Sequence, residues 1–272
     1  MEYTQIRYEP GRVARVVLNR PRYRNAQSRV LLEEMDDAFN RSVADSDVRV
    51  IVLSGEGDHF SAGHDLGTPD EMADREARGY HSDRTGRYDY VRRYFLENTL
   101  RWRNLPKPTI AMVQGYCIFG GWMIATAMDV IFASEDALFL PSHFQYFATP
   151  WDIGARKAKE VMFEHRFLGA AEAREQGLVN RVYPRGKLEE ETLAYAGRVA
   201  DNDPFSVRMS KFSINHMMDV MGFSAEVEVA YQTYFISRHV TWGADTPPPP
   251  PPKDYARVGT ALKNLELSKG QL

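Results

Sequence analysis

Apolar positions recur along this chain with two different periods, and their alternation predicts an α/β protein. Val13-Ala14-Arg15-Val16-Val17-Leu18 is a β-branched run that ends in the turn-prone Asn19-Arg20-Pro21, as a strand does. Across residues 28–44, Leu31, Met35, Ala38, Phe39 and Val43 fall at helical spacing with acids and Arg41 between them. Residues 48–53 form a second strand-like run, stopped by Ser54-Gly55-Glu56-Gly57, and residues 109–113 and 130–133 form two more. Strand and helix alternate through the first half, which predicts a largely parallel sheet with crossover helices. Residues 68–105 are polar and rich in Arg, Asp and Tyr, with weak periodicity. A compact domain rarely carries such a stretch without using it, so a helical or mobile excursion over a functional site is expected there. After Gly177-Leu178-Val179-Asn180 the pattern turns helical, with Met209, Phe212, Met217, Met218 and Val220 among polar residues. A helix over residues 224–238 would present Val227, Val229, Tyr231 and Phe235. Pro247 to Pro252 is an unbroken proline run, read as a stiff polyproline II spacer of about 3.1 Å per residue.

Composition narrows the function classes. With 43% hydrophobic and 26% charged residues, the 272-residue chain has an ordinary globular balance. A formal net charge of −3 argues against non-specific nucleic-acid binding, which needs a basic surface. The longest apolar stretch, residues 118–133, contains Thr126 and Asp129 and is too short to cross a bilayer, so no membrane partner is expected. Met1-Glu2-Tyr3-Thr4-Gln5 has neither the basic start nor the apolar core of a signal peptide. The lone Cys117 sits in an apolar run, reads as a small buried hydrophobe, and leaves no internal disulfide, so a cytoplasmic location is expected. His59, His81, His143 and His165 are scattered without ligand spacing, which predicts no metal site.

Two segments carry the candidate chemistry. Phe60-Ser61-Ala62-Gly63-His64-Asp65-Leu66-Gly67 and Phe119-Gly120-Gly121-Trp122-Met123 each follow a β-like run and open towards a helix-like one. Such junctions expose free backbone N–H groups, and glycine permits close approach of a ligand. Aimed at one point, two of them would form an oxyanion hole. Other readings fail: Gly120-Gly121 lacks the lysine of a phosphate loop, and Ser61 lacks the surrounding G-x-S-x-G of a nucleophile elbow.

At this point the chain resembles the crotonase (enoyl-CoA hydratase/isomerase) superfamily. The resemblance runs from about residue 6 to residue 200 and rests on Leu18-Asn19-Arg20-Pro21 with Asn25-Ala26, on Ile51-Val52-Leu53-Ser54-Gly55, and on the segment from Phe60 to Leu66. Lys107-Pro108-Thr109-Ile110-Ala111, Gly115, Gly120-Gly121, Asp129 and residues 173–182 match in the same order. The resemblance implies a spiral of ββα units over residues 1–200. It also implies a helical capping and trimerisation part over residues 201–272, in a homotrimer or homohexamer. It implies an acyl-CoA thioester as substrate, with coenzyme A entering as part of that substrate and no permanent cofactor. The backbone donors of the oxyanion hole map to His64 and Gly120. The substrate-contacting stretches map to Arg22, Tyr23, Arg24, Ala26, Ala62, Asp65, Leu66 and Gly121, and arginines there suit the nucleotide phosphates.

The pattern then breaks. Hydratases of this superfamily place one glutamate three residues after the oxyanion glycine and a second four residues beyond the phenylalanine of the next strand. Here those positions hold Met123 and His143. Methionine cannot carry a proton, so standard syn-hydration is not expected. The chain is also about nine residues shorter than typical hydratases ahead of the helix that begins near Lys157. Asp152 is the carboxylate nearest the expected reaction centre in sequence and is the leading acid/base candidate, against the alternative of a helix N-cap. His143 competes as acid/base, against a core histidine. Tyr146 is a possible proton donor, and Met123, Tyr146 and Trp151 are placed at the acyl group, where an aromatic set including Trp122, Phe144 and Phe147 suits a bulky substrate. Isomerisation, C–C hydrolysis or thioester hydrolysis is expected. The alternatives are a non-catalytic acyl-CoA binder and a hydratase with carboxylates recruited from elsewhere.

Overall fold

A computed structural model of the chain describes residues 2–79, 83–141, 145–239 and 254–269. His143, Phe144 and the proline run at 247–252 lie outside the described residues.

The main sheet has six strands. They are β1 (Ile6–Glu9), β2 (Val13–Leu18), β3 (Val50–Gly55), β4 (Thr109–Val113), β6 (Val130–Ser134) and β9 (Arg181–Tyr183), in spatial order β1-β2-β3-β4-β6-β9. Only β1 runs antiparallel to its neighbour, and from β2 onwards every pairing is parallel. Every residue of β3 and β4 is buried, as central strands covered on both faces must be. A second sheet joins β5 (Tyr116–Ile118), β7 (Leu138–Leu140) and β8 (Leu168–Gly169) in the order β5-β7-β8. The expected strand at residues 48–53 lies two residues further on. Ser54 and Gly55 read as a stop, yet they pair with Val17 and Leu18, and Ser54 is buried. The ladder outweighs their turn preference because β2 offers them partners.

Helix α1 (Arg29–Ala44) starts where Ser28 accepts the Leu31 N–H at 3.1 Å, and it lays Leu31, Met35, Ala38 and Phe39 on the sheet. The polar stretch after β3 is helical. It comprises α2 (Pro69–Arg78), α3 (Arg84–Val91), a π-helical turn (Arg92–Glu97) and α4 (Asn98–Arg103). It is tied down through charge: the buried Glu71 carboxylate accepts the Arg29 N–H at 3.0 Å, and the Arg29 guanidinium meets Asp74 at 2.6 Å. Five helices follow β5 before the C-terminal ones: α5 (Gly120–Thr126), α6 (Thr149–Ile153), α7 (Ala155–Glu164), α8 (Ala170–Glu175) and α9 (Arg185–Ala200).

From Pro204 on, the described chain is all helix: α10 (Pro204–Val220), α11 (Phe223–His239) and α12 (Asp254–Lys269). Helix α11 buries Phe223, Val227 and Tyr231 against Val91, Leu96, Met123 and Tyr146. Val229 does not share that face and is exposed, since two residues along a helix turn a side chain about 200° away. Phe235 meets Tyr88 edge-on at 4.9 Å. Helix α12 sets Ala261 and Leu265 on Ile118, Leu140 and Phe167. Helix α10 buries none of its residues and exposes Phe205, Phe212, Ile214, Met217 and Val220.

Candidate active site

The loops after β3 and β5 meet because glycines let them. Backbone pairing draws them side by side: Ser61 bridges to Cys117, its N–H donating to Tyr116 O at 2.9 Å, while its own O accepts the Ile118 N–H at 3.0 Å. A Cβ on Gly63 would lie 2.7 Å from Ile118 O and 3.1 Å from Gly120 N, and its φ of +89° also favours glycine. A Cβ on Gly121 would meet Ser61 O at 2.6 Å, so this glycine serves the approach of the two loops. Between them Phe119 holds φ 48° and ψ −104°, a costly backbone for a residue with a side chain. That bend turns the chain from β5 into α5.

The joined loops leave two free backbone donors close together. Gln27 donates its N–H to Gly63 O at 2.8 Å, and its own O accepts the Asp65 N–H at 3.0 Å. The N–H of His64, between those two partners, therefore points the opposite way. Gly120 is the first residue of α5, where no intrahelical acceptor exists. Among the described residues neither N–H has an acceptor.

A cavity of about 680 Å³ opens beside them, lined by His64 and by Phe119, the residue before Gly120, while Gly120 and Gly121 themselves are not on its wall. Of the residues expected from sequence, Arg24, Ala26, Ala62, His64, Asp65 and Leu66 line it. Arg22 and Tyr23 do not. They sit in the short helical turn Pro21–Tyr23, where the guanidinium groups of Arg20 and Arg22 lie 4.9 Å and 5.1 Å from the centre of the Tyr23 ring. Among the described residues, Asp65 is the one carboxylate on the cavity wall. Burial alone would raise its pKa, but hydrogen bonds from Thr68 Oγ1 (2.6 Å), the N–H groups of Thr68 (2.8 Å) and Gly67 (2.9 Å), and Arg20 (2.8 Å) lower it. It is held ionised by groups that occupy its lone pairs, so it is a structural anion and not a proton carrier.

Met123 does not line this cavity and is packed at 1% exposure with Val91, Leu96 and Tyr146. Asp152, Trp151 and Tyr146 line a different cavity, of about 480 Å³, together with Thr126, Asp129 and Lys211. Asp152 thus does not sit at the His64 donors. Nor does it cap α7, whose first turn has no side-chain cap. Its Oδ2 instead accepts the indole N–H of Trp122 at 3.0 Å, because α5 turns Trp122 to the side opposite its own N-terminus. Asp152 is half-buried as a residue, but protein crowds its carboxyl, and this desolvation pushes its pKa up to about 8. Burial also pushes the Tyr146 hydroxyl well up.

Several residues around His64 had no sequence signal. Gln27 directly follows the Asn25-Ala26 match but carries no recognised chemistry. Phe95, whose ring stacks on the His64 imidazole at 3.7 Å, sits in the π-helical turn, where the 3.6-residue period fails. Arg87, Gln145, Tyr234 and Val258 reach the cavity from remote elements. Among the described residues no group of three or more His, Cys, Asp or Glu is placed to hold a metal ion, and no helix is long and apolar enough to cross a membrane.

Known proteins share this arrangement of chain. The sequence pattern of the family described as "Enoyl-CoA hydratase/isomerase" matches residues 9–241. The chain is 37% identical over 267 residues, covering 90% of itself and 84% of the relative, to the Mycobacterium tuberculosis protein named "Putative enoyl-CoA hydratase EchA13". Among solved structures, a "probable enoyl-CoA hydratase" from Mycobacterium thermoresistibile is 40% identical with a TM-score of 0.78, over 86% of this chain and 96% of that one. An enoyl-CoA hydratase/isomerase from Xanthobacter autotrophicus Py2 is 31% identical with a TM-score of 0.77, over 86% and 87% of the two chains.

Proposed function

The chain belongs to the enoyl-CoA hydratase/isomerase family, and from that premise we propose that it acts on a bulky acyl-CoA thioester by chemistry other than standard hydration. The thioester oxygen accepts from the N–H groups of His64 and Gly120. Negative charge that builds on that oxygen as the α-carbon loses a proton is stabilised by donors already in place. Isomerisation then needs only that one base take a proton at one carbon of the acyl chain and return it at another, with no water consumed. Arg24 at the cavity wall, with Arg22 outside it, meets the nucleotide phosphates of coenzyme A.

The observation that carries this reading is Met123, at 1% exposure in an apolar cluster, where a hydratase of the family needs its first carboxylate. Two groups remain for the proton. His143 stands in sequence where the family's second carboxylate belongs, which gives it the better claim. Asp152 holds a proton at neutral pH but opens on the second cavity, so it serves only an acyl group that extends there. Isomerase chemistry is favoured over C–C or thioester hydrolysis because it needs no activated water.

Crotonyl-CoA is the deciding substrate. Incubated with the purified protein, it keeps its enoyl absorbance, while a saturated acyl-CoA exchanges its α-protons with deuterium oxide. Rapid loss of the enoyl absorbance would instead establish a hydratase with recruited acids. Tight binding without any α-exchange would establish the second reading, a non-catalytic acyl-CoA binder, which the apolar packing of Met123 favours. The same proposal includes a homotrimer or homohexamer, for which the exposed apolar residues of α10 are the support, a helical part from residue 201 that caps the site, and a cytoplasmic location.

A further inference from the structure

Two side chains converge on Gly120 from the side where a Cβ would stand. That Cβ would lie 2.6 Å from Gln27 Oε1, 2.7 Å from His64 Cδ2 and 2.8 Å from His64 Nε2. Gln27 is 3% exposed, and hydrogen-bond logic sets the orientation of its amide. The Ser61 hydroxyl donates its one proton to Asn25 O at 2.8 Å, so it accepts from Gln27 at 3.2 Å, and the group facing Ser61 must be Nε2. Oε1 is thereby aimed at Gly120 and the imidazole edge, with no donor among the described residues. The ring nitrogens of His64 have no hydrogen-bond partner among the described residues either. One face of that ring lies on Phe95, with centroids 3.7 Å apart and planes 18° apart. Phe95 is delivered by the π-helical turn, a local distortion that the fold keeps beside the cavity.

We propose that the imidazole of His64 is itself a catalytic group, a hydrogen-bond donor that joins the two backbone N–H groups on the thioester oxygen, with Gln27 and Phe95 as its positioning residues. The proposal rests on the acyl-CoA reading above and adds a side chain to what had been a purely backbone site. Burial holds the imidazole pKa down to about 3, so at neutral pH the ring is uncharged and keeps its N–H. A neutral imidazole polarises a carbonyl without handing over its proton, which suits an oxygen that must carry charge and then release it. Stacking on Phe95 restricts ring rotation, and Gln27 Oε1 stands beside the Cδ2–Nε2 edge where that edge meets Gly120.

The test uses the intact protein and a conjugated dienoyl-CoA, whose absorbance moves to the red when its carbonyl is polarised. Binding is measured separately by calorimetry. Wild type is expected to shift the band. His64→Ala is expected to lose most of the shift and to slow α-proton exchange about 100-fold, with the dissociation constant changed less than about three-fold. His64→Asn, which restores a donor, is expected to recover part of the shift. Phe95→Leu is expected to fall between wild type and His64→Ala, and it carries the test if His64→Ala does not fold. Full shift and full exchange in His64→Ala overturn this inference while leaving the acyl-CoA reading in place. A wild-type protein that binds the dienoyl-CoA without any shift, or does not bind it, overturns both.

Discussion

Helix α5 serves two cavities of opposite character. Beside its N-terminus lies the cavity of His64, whose wall carries an uncharged imidazole and, among the described residues, a single carboxylate, Asp65, locked as an anion by Arg20 and Thr68. Two residues further on, Trp122 reaches the other side and holds Asp152, a carboxyl whose pKa is about 8. One cavity is equipped to receive negative charge and the other to keep a proton. In an enzyme that moves protons next to a thioester, both functions are wanted in one place, and here packing sets them apart. The division shows that a carboxylate close in sequence to an expected centre can belong to a different compartment, because one helix turns successive side chains about 100° apart.

The largest expected effect strikes the first cavity. Gly63→Ala forces a Cβ against Ile118 O at a φ of +89°, so the two donor loops must part. Loss of a single oxyanion donor costs about 100- to 1000-fold in rate, and α-proton exchange followed by mass spectrometry should fall by at least that much. Asp152→Asn in the same assay should leave exchange within about ten-fold of wild type, whereas His143→Ala abolishes it. The reverse ranking would merge the two cavities into one site.

The second cavity is probed by stability. The Asp152 carboxyl has its pKa raised in the fold, so the folded state binds more protons than the unfolded chain between about pH 4 and pH 8. The stabilising contribution of its protonated form is complete below about pH 4 and is lost as pH rises towards 8. Because the residue is half-buried, about 2 kcal/mol of this dependence is expected, and denaturant melts of Asp152→Asn across that range should lack it. Wild-type stability that does not fall over this interval would place the carboxyl in solvent.

Smaller effects sharpen the outer boundary. Arg24→Ala should weaken binding of a CoA ester about five- to ten-fold, with a shallower salt dependence, while Arg22→Ala, outside the cavity, changes it about two-fold or less. Calorimetry at two salt concentrations separates them. Phe212→Glu on the exposed face of α10 should yield a smaller assembly by analytical ultracentrifugation without altering the fold.

Much of the frame is legible in single stretches of sequence. Strands β2 and β4 and helices α1 and α11 follow from period and composition, since burial on one or both faces writes itself into neighbouring positions. Strand β3 came out displaced, because the turn-like Ser54-Gly55 is recruited by Val17 and Leu18 of the β2 ladder, which are distant in sequence. The α2–α4 excursion is legible as a polar stretch but not as the source of Phe95, since a π-helical turn erases the period that would have marked it. The pairing of the Gly63 and Gly120 loops is suggested by their similar grammar.

By itself, the sequence determined the α/β class, the glycines that let two loops touch, and the loss of carboxylates at positions 123 and 143. These properties depend on residue type and spacing, which are local. The tertiary structure alone decided that Asp152 answers to Trp122 and not to His64, that Asp65 is spent on Arg20, and that Gln27 and Phe95 close around one imidazole. Such assignments depend on which surfaces meet and how much water is left between them. Desolvation and hydrogen-bond partnership arise from neighbours tens of residues apart, so they exist only once the sheets and helices have packed.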